Sequence, residues 1–276
     1  MEGEAEVSDA PRLTVLSLGA GVQSTTLALM AAYGEIAAPD CAIFADTGWE
    51  PRAVYDHLDR LEARLPFPIY RVNAGNLRED AVKKNTTTRS GGRFSAIPWF
   101  TSDGGMGRRE CTAHYKIEPL AKKQRELLDA KPRQRLPVES VHVLIGISTD
   151  EAHRMKPARN RWQRNVFPLI ELGMSRRDCL RWTQERQWNP PKSSCIGCPF
   201  HSDAMWRDLR DNAPDEWADA VEVDRAIRDG GTMRGIKAQQ FMHRSLKPLD
   251  QVDLSTWAEK GQADLFGEEC EGMCGV

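Results

Sequence analysis

Leu13 to Met30 reads LTVLSLGAGVQSTTLALM, and the fold follows from how that stretch divides. A β-prone run (Leu13, Val15, Leu16) leads into Ser17-Leu18-Gly19-Ala20-Gly21-Val22-Gln23-Ser24-Thr25, and an apolar, helix-favouring segment (Leu27 to Ala32) follows at once. Strand, small-residue loop, helix is the geometry that points unpaired backbone N–H groups at an anion. Gly19 and Gly21 are expected to let the backbone turn and approach a phosphate closely, with Ser17, Ser24 and Thr25 adding hydroxyl donors. The alternative is an ordinary tight connection with a serine N-cap. The loop matches neither G-x-x-x-x-G-K-[ST] nor G-x-G-x-x-G.

Outward from this stretch, Asp40-Cys41-Ala42-Ile43-Phe44-Ala45 reads as a second buried strand. It ends in Asp46-Thr47-Gly48-Trp49-Glu50, and a helix is expected over about 52–64. Pro68 to Val72 reads as a third strand, Val141 to Ile147 as the clearest strand of all, and Val166 to Ile170 as a last short one. Strands alternating with helices imply a parallel α/β sheet, in which the loops 17–25 and 46–50 both lie beyond the carboxyl ends of strands. Residues 73–109, rich in Gly, Ser, Thr and Arg, read as a long loop or lid. Helices are expected over 111–128, 175–185, 203–211 and 214–229. The domain expectation is a tail at 1–11, an α/β nucleotide-binding domain at 12–170, a mostly helical part at 171–260 and a flexible tail at 261–276.

A formal net charge of -2 excludes a polyelectrolyte binder overall, but the charge is uneven. Arg154, Lys156, Arg159, Arg161 and Arg164 follow one another with no acid between them, which suits a solvated face or an anionic ligand. The acidic start MEGEAEVSDAP has no apolar core, and no apolar run reaches membrane-spanning length, so a cytoplasmic protein with no membrane partner is expected. Of seven cysteines, Cys195 and Cys198 form a C-x-x-C in a turn-prone setting, suited to a metal, a cluster or a redox pair. Cys111 lies among arginines, Cys270 and Cys274 close a polar, Gly-rich tail, and Cys41 and Cys179 read as small buried hydrophobes. Composition does not choose between zinc and an iron–sulfur cluster. His201, near the pair, reads as structural or exposed. Trp182, Trp206 and Trp217 read as core, whereas Trp49 falls inside the second ligand loop.

Taken in order, these segments resemble the phosphoadenylyl-sulfate reductase family of the PP-loop (N-type ATP pyrophosphatase) superfamily, over roughly Leu13 to Leu209. Ser17 to Ser24 resembles its Ser-Gly-Gly-x-Asp-Ser loop, and Phe44 to Glu50 its Asp-Thr-Gly segment. Arg109, Cys111 and Lys116 to Leu120 are similar to Cys-Cys-x-x-Arg-Lys-x-x-Pro-Leu. Gly146-Ile147-Ser148 with Asp150, Glu151 and Arg154 is similar to Gly-[Ile/Leu]-Arg-x-x-Glu-x-x-x-Arg, and Pro168 to Ile170, Cys195 and Cys198 complete the series. The departures are Gln23 where the loop's Asp is expected, in a loop one residue longer, and Thr112 where a second adjacent cysteine is expected.

The resemblance implies a three-layer α/β sandwich of the adenine nucleotide alpha hydrolase type. It implies an adenine nucleotide on Ser17, Gly19, Gly21, Gln23, Ser24, Thr25, Phe44, Asp46, Thr47, Gly48, Gly146 and Lys116. It implies a [4Fe–4S] cluster on Cys111, Cys195 and Cys198 with one iron open, zinc being the alternative. ATP with Mg2+ would adenylate an acceptor, helped by Arg154 and Glu151, before sulfur transfer of the nucleic-acid thiolation or phosphorothioation type. DNA or tRNA, a sulfur donor such as a cysteine desulfurase, and a homodimer are the partners implied. The alternatives are a sulfonucleotide reductase using Cys270, with Cys274 resolving, and a non-enzymatic nucleotide- or zinc-binding module.

Overall fold

The computed structural model describes residues 11–83, 97–229, 238–255 and 259. Strand β1 (Leu13–Ser17) is the centre of a five-stranded sheet with β2 (Cys41–Asp46), β3 (Ile69–Asn73), β5 (Val141–Ile145) and β6 (Gln163–Val166), in the order β3-β2-β1-β5-β6. All its pairings are parallel, with Val15 opposite Cys41 on one side and Val143 on the other. The apolar residues alternate between faces: Leu13, Val15, Cys41, Ile43, Val141 and Val143 share one cluster, and Leu16, Ala42, Phe44 and Leu144 the other. Strands this apolar require cover on both faces. Helices α1 (Val22–Ala32), α2 (Arg52–Glu62) and α6 (Arg176–Glu185) cover one, through Leu27, Leu58 and Cys179 among others; α4 (Glu118–Leu127) covers the other with Leu120 and Leu127. The result is the expected three-layer α/β architecture. Leu16, Leu27 and Leu58 are each fully buried, a gain of about 1.5–3 kcal/mol apiece relative to exposure. Burial also pushes the Cys41 and Cys179 thiols up to about 11, consistent with structural residues.

The strand expected at Val166 to Ile170 is corrected. The ladder runs over Gln163–Val166, and Pro168 opens a short helix, α5 (Pro168–Glu171). Proline has no N–H to give a ladder but suits the first turn of a helix. The stretch expected as one long loop holds α3 (Leu77–Val82), capped by Asn76 accepting from Glu79 N, and β4 (Phe100–Thr101). Strand β4 pairs antiparallel with β7 (Gln240–Phe241). Residues 84–96 of that loop, like the tail at 1–10, lie outside the described residues.

A second core sits beyond the sheet. Trp49, Leu77, Ala81, Ile97, Trp99 and Tyr115 from the first half meet Trp206 of α7 (Asp203–Asn212) and Val221, Val223 and Ile227 of α8 (Pro214–Ile227). Both halves of the chain build it, with Cys195 and Ile196 in its wall. Trp49 therefore belongs to a core, 3% exposed, with Nε1 donating to Asp219 at 2.7 Å. No helix among the described residues is long and apolar enough to cross a membrane.

Strand order reverses at β1, whose neighbours β2 and β5 are reached in opposite directions. The crevice outside the carboxyl ends of such strands is where open α/β sheets bind ligands.

Candidate functional site

The connection from β1 to α1 turns at Ala20, which carries φ 58. This corrects the expectation that Gly19 and Gly21 make the turn: neither has positive φ, and Gly21 is the extended N-cap of α1. Gly21 is needed for proximity instead, because a Cβ there would lie 3.2 Å from Ser193 Cβ. Ser193 Oγ donates to the Gly19 carbonyl. Ser24 is not a cap: its hydroxyl accepts from Gly19 N at 3.2 Å and reaches Gly21 O at 3.3 Å, folding the loop onto the helix start. Gly146, just after β5, lies under this turn; a Cβ on it would come within 2.8 Å of Ser24 N.

The loop lines a cavity of about 150 Å³ with Ser17, Gly19, Gly21, Gln23, Ser24, Phe44, Gly146, Glu151, Arg154 and Lys116, all expected as site residues. The fold adds Arg176, Lys192 and Ser193, for which the sequence carries no local signal. Four cations therefore face one carboxylate, and the first-turn amides of α1 have no helical acceptor. Glu151 is held by Arg154 Nη1 at 2.7 Å and by Gln23 Nε2 at 3.0 Å, while Gln23 Oε1 accepts from Arg176 Nη1 at 3.1 Å. Gln23 thus bridges an anion and a cation, a task that needs both ends of an amide. An aspartate could serve only the guanidinium. The 148–154 turn is fixed to the start of α6 by Arg176 N donating to Asp150 Oδ1 at 2.8 Å, and to the residue before its N-cap by Thr149 N donating to Met174 O at 2.9 Å.

A second, smaller cavity of about 30 Å³ is lined by Cys111, Cys195 and Cys198 together, with Thr47, Arg109, Thr112, Lys116 and Phe200. Cys111 precedes a π-helical turn, Ala113–Ile117, that runs into α4. Cys195 Sγ donates to Glu50 Oε1 at 3.4 Å, which also accepts from Thr47 Oγ1 at 2.9 Å, and Lys116 Nζ lies 3.7 Å away. Glu50 Oε2 and Arg109 Nη2 are buried with no hydrogen-bond partner among the described residues. Among the described residues no three His, Cys, Asp or Glu side chains converge at metal-ligating distance. Three cysteines on one cavity are the donor type that suits a soft, thiophilic metal, with the Arg109 guanidinium in the same lining. Lys116 lines both this cavity and the glycine-loop cavity. π-Turns are frequent at functional sites, and this one carries the residue shared between the two.

Other expected residues lie elsewhere. Asp46 Oδ1 accepts from Gly48 N at 2.7 Å and Tyr55 OH at 2.8 Å, shaping the turn after β2. Gly48 has φ 71 and would meet Asn76 at 3.3 Å if it bore a Cβ. Thr47 faces the cysteine cavity. His201 is buried, its Nε2 2.9 Å from Ser194 Oγ and its ring against Trp206, and burial lowers its pKa to about 3. Cys270 and Cys274 lie outside the described residues.

Thr25 is fully buried and does not line the glycine-loop cavity; its Oγ1 lies 2.9 Å from His57 Nε2. Burial, with Arg60 nearby, lowers the His57 pKa to about 4 from an ordinary 6.5. The unfolded chain therefore binds more protons between these values, and stability falls as pH drops from about 6.5 towards 4. Complete protonation costs on the order of 3 kcal/mol. Urea midpoints measured at pH 7.5 and 4.5 should fall with pH, and a His57→Gln variant should show a shallower dependence.

No known family model matches this chain, and no curated protein does. Twenty-one chains of solved structures match it. One, a phosphoadenylyl-sulfate (PAPS) reductase from Candida auris in a phosphate complex, superposes at a TM-score of 0.43 and 14% sequence identity, over 67% of this chain and 77% of that one.

Proposed function

We propose that this protein is an ATP-using sulfur-transfer enzyme in which the glycine-loop cavity holds the nucleotide and the three-cysteine cavity handles sulfur. The observation that carries the reading is the shared wall: Cys111 and the Cys195–Cys198 pair, 84 residues further on by sequence number, line one cavity, and Lys116 lines both it and the loop cavity. A nucleotide whose phosphates meet Lys116 is thereby next to the thiols.

The residues divide the work by charge and position. Amides of the α1 first turn and the Ser17 hydroxyl offer donors to the phosphates, while Ser24, donating to Gly21 O, holds the loop in place. Lys116, Arg154, Arg176 and Lys192 oppose the charge that builds when an acceptor oxygen attacks the α-phosphorus and pyrophosphate leaves. Glu151 orients Arg154 and Gln23, and is the carboxylate on the cavity wall for a magnesium ion arriving with the phosphates. A sulfur nucleophile delivered from the cysteine side then displaces AMP from the adenylated acceptor. Cys111, Cys195 and Cys198 would hold an iron–sulfur cluster, or zinc in its place; a cluster with three protein ligands supplies an open iron for a sulfur species. Arg109 and Lys116 balance the charge of such a group, and the apolar wall of Ile97, Pro98 and Phe200 keeps water from it. Cys270 and Cys274, a nucleic-acid acceptor and a desulfurase partner belong to the same proposal.

The test is anaerobic purification with an absorption spectrum and iron, sulfide and zinc counts, beside ATP-to-pyrophosphate turnover. Broad visible absorption that disappears in Cys195→Ala, with ATP cleavage to pyrophosphate, is expected. Consumption of a preformed sulfonucleotide without pyrophosphate release would replace this reading with the reductase. Absence of metal and of nucleotide turnover would leave a binding module.

A further inference from the structure

A third and larger cavity, about 340 Å³, opens on the other side of the π-helical turn. Its floor is apolar (Ile117, Leu120, Val143, Ile145), and its rim carries Arg109, Lys156 and Arg159 with no carboxylate among the lining residues. Neither Lys156 nor Arg159 forms an ion pair among the described residues. The side wall is amide-rich: Gln163 Nε2 donates to Gln124 Oε1 at 2.5 Å, Asn160 Nδ2 to Gln163 Oε1 at 2.8 Å, and Asn165 Nδ2 to Lys156 O at 3.0 Å. These bonds leave Gln124 Nε2 as a donor and Asn165 Oδ1 as an acceptor on residues that line the cavity. An apolar floor, one donor, one acceptor and a cationic rim together match a phosphorylated nucleoside: ring on the floor, base edge on the amides, phosphate on the rim.

Its position is as informative as its lining. Ser17, Ile117, Leu120 and Ile145 are shared with the glycine-loop cavity, and Arg109 and Thr112 with the cysteine cavity. Arg109, whose Nη2 has no hydrogen-bond partner among the described residues, is part of this rim. We propose that this third cavity is a second binding site, distinct from the ATP site, that seats a phosphorylated nucleoside unit beside both other cavities. Its role as the acceptor site rests on the function proposed above; its existence as a nucleotide pocket does not.

The test titrates the full chain, with a non-hydrolysable ATP analogue at saturation, with CMP and with a single-stranded hexanucleotide. Controls of matched charge are ribose 5-phosphate and an abasic strand. Binding of at least one probe with the analogue bound is expected, weakened about tenfold or more by Lys156→Gln with Arg159→Gln, while the analogue binds both proteins alike. Binding of CMP identifies a free nucleotide as ligand; binding of the strand alone identifies a nucleic acid; either supports the site. Controls are expected to bind about tenfold more weakly, because the base edge contributes discrimination of this order. Controls that bind as well as the probes, a double variant that binds like wild type, displacement of the probe by the analogue, or no binding at millimolar concentration would each overturn it. Failure of the analogue to bind would instead count against the proposed function, and the probe titration without it would still decide the third cavity.

Discussion

Gly197→Ala is expected to destabilise the protein by about 3–5 kcal/mol, combining an overpacked core with a broken buried hydrogen bond. A Cβ at this position would lie 2.0 Å from Trp49 Cη2 and 2.4 Å from Cζ3. The indole has no room to yield. It is buried, its Nε1 is bonded to Asp219 at 2.7 Å, and its backbone carbonyl accepts from Ile196 N at 2.9 Å. The strain therefore falls on the Cys195–Cys198 turn, where Cys198 N donates to Cys195 O at 3.0 Å. Thermal melts should drop by about 10 °C at this chain length, and metal content should fall with them. A Trp49→Phe change removes the atoms nearest the new methyl, although it also gives up the Asp219 bond. The double variant should accordingly be more stable than the sum of the single losses predicts. Strict additivity would show that the two residues are not in steric contention.

This contact also marks the boundary of what the sequence discloses. The parallel sheet is legible because its strands are short apolar runs separated by amphipathic helices, and local patterning reports that. The cysteine loop is legible as a C-x-x-C, but which residues it meets is a tertiary fact. Nothing near Trp49 announces that its ring lies on Gly197, and the position of Trp49 in a ligand-like loop suggested the opposite role. Likewise Arg176 reads as an ordinary first-turn residue of a helix, yet α6 packs on α1 and brings it to Gln23. Ser193 precedes a cysteine motif and gives no hint that it closes on Gly19 and Gly21. The strand misplaced at Val166 to Ile170 is a different failure: the signal, Pro168, was present, and the run of apolar residues outweighed it. Ala20 carries the left-handed turn between two glycines that looked better suited, and the glycines are required for what approaches them. Close approach leaves no trace in a sequence beyond the absence of a side chain.

Gly146→Ala is the change expected to separate the glycine-loop cavity from the rest of the fold. A methyl group here would lie 2.8 Å from Ser24 N, 3.0 Å from Gln23 C and 3.1 Å from Ser24 Cα. All three are main-chain atoms of the first turn of α1, so no rotamer change relieves the contact. Either α1 withdraws from β5 or the 146–148 backbone moves outward. The first would separate Ser24 Oγ from Gly19 N, and the second would pull Ser148 and Glu151 from Gln23. Both damage the cavity that Gly146 lines, while Cys111, Cys195 and Cys198 belong to the neighbouring one. Affinity for a non-hydrolysable ATP analogue should fall by about a hundredfold, equivalent to roughly 2.7 kcal/mol, with a stability loss of about 1–3 kcal/mol. Metal content should be unaffected, in contrast to Gly197→Ala. If Gly146→Ala binds the analogue like wild type, the nucleotide does not use the turn between β1 and α1. If it binds weakly and also loses metal, the two cavities are mechanically one, coupled through the π-helical turn that bears Lys116.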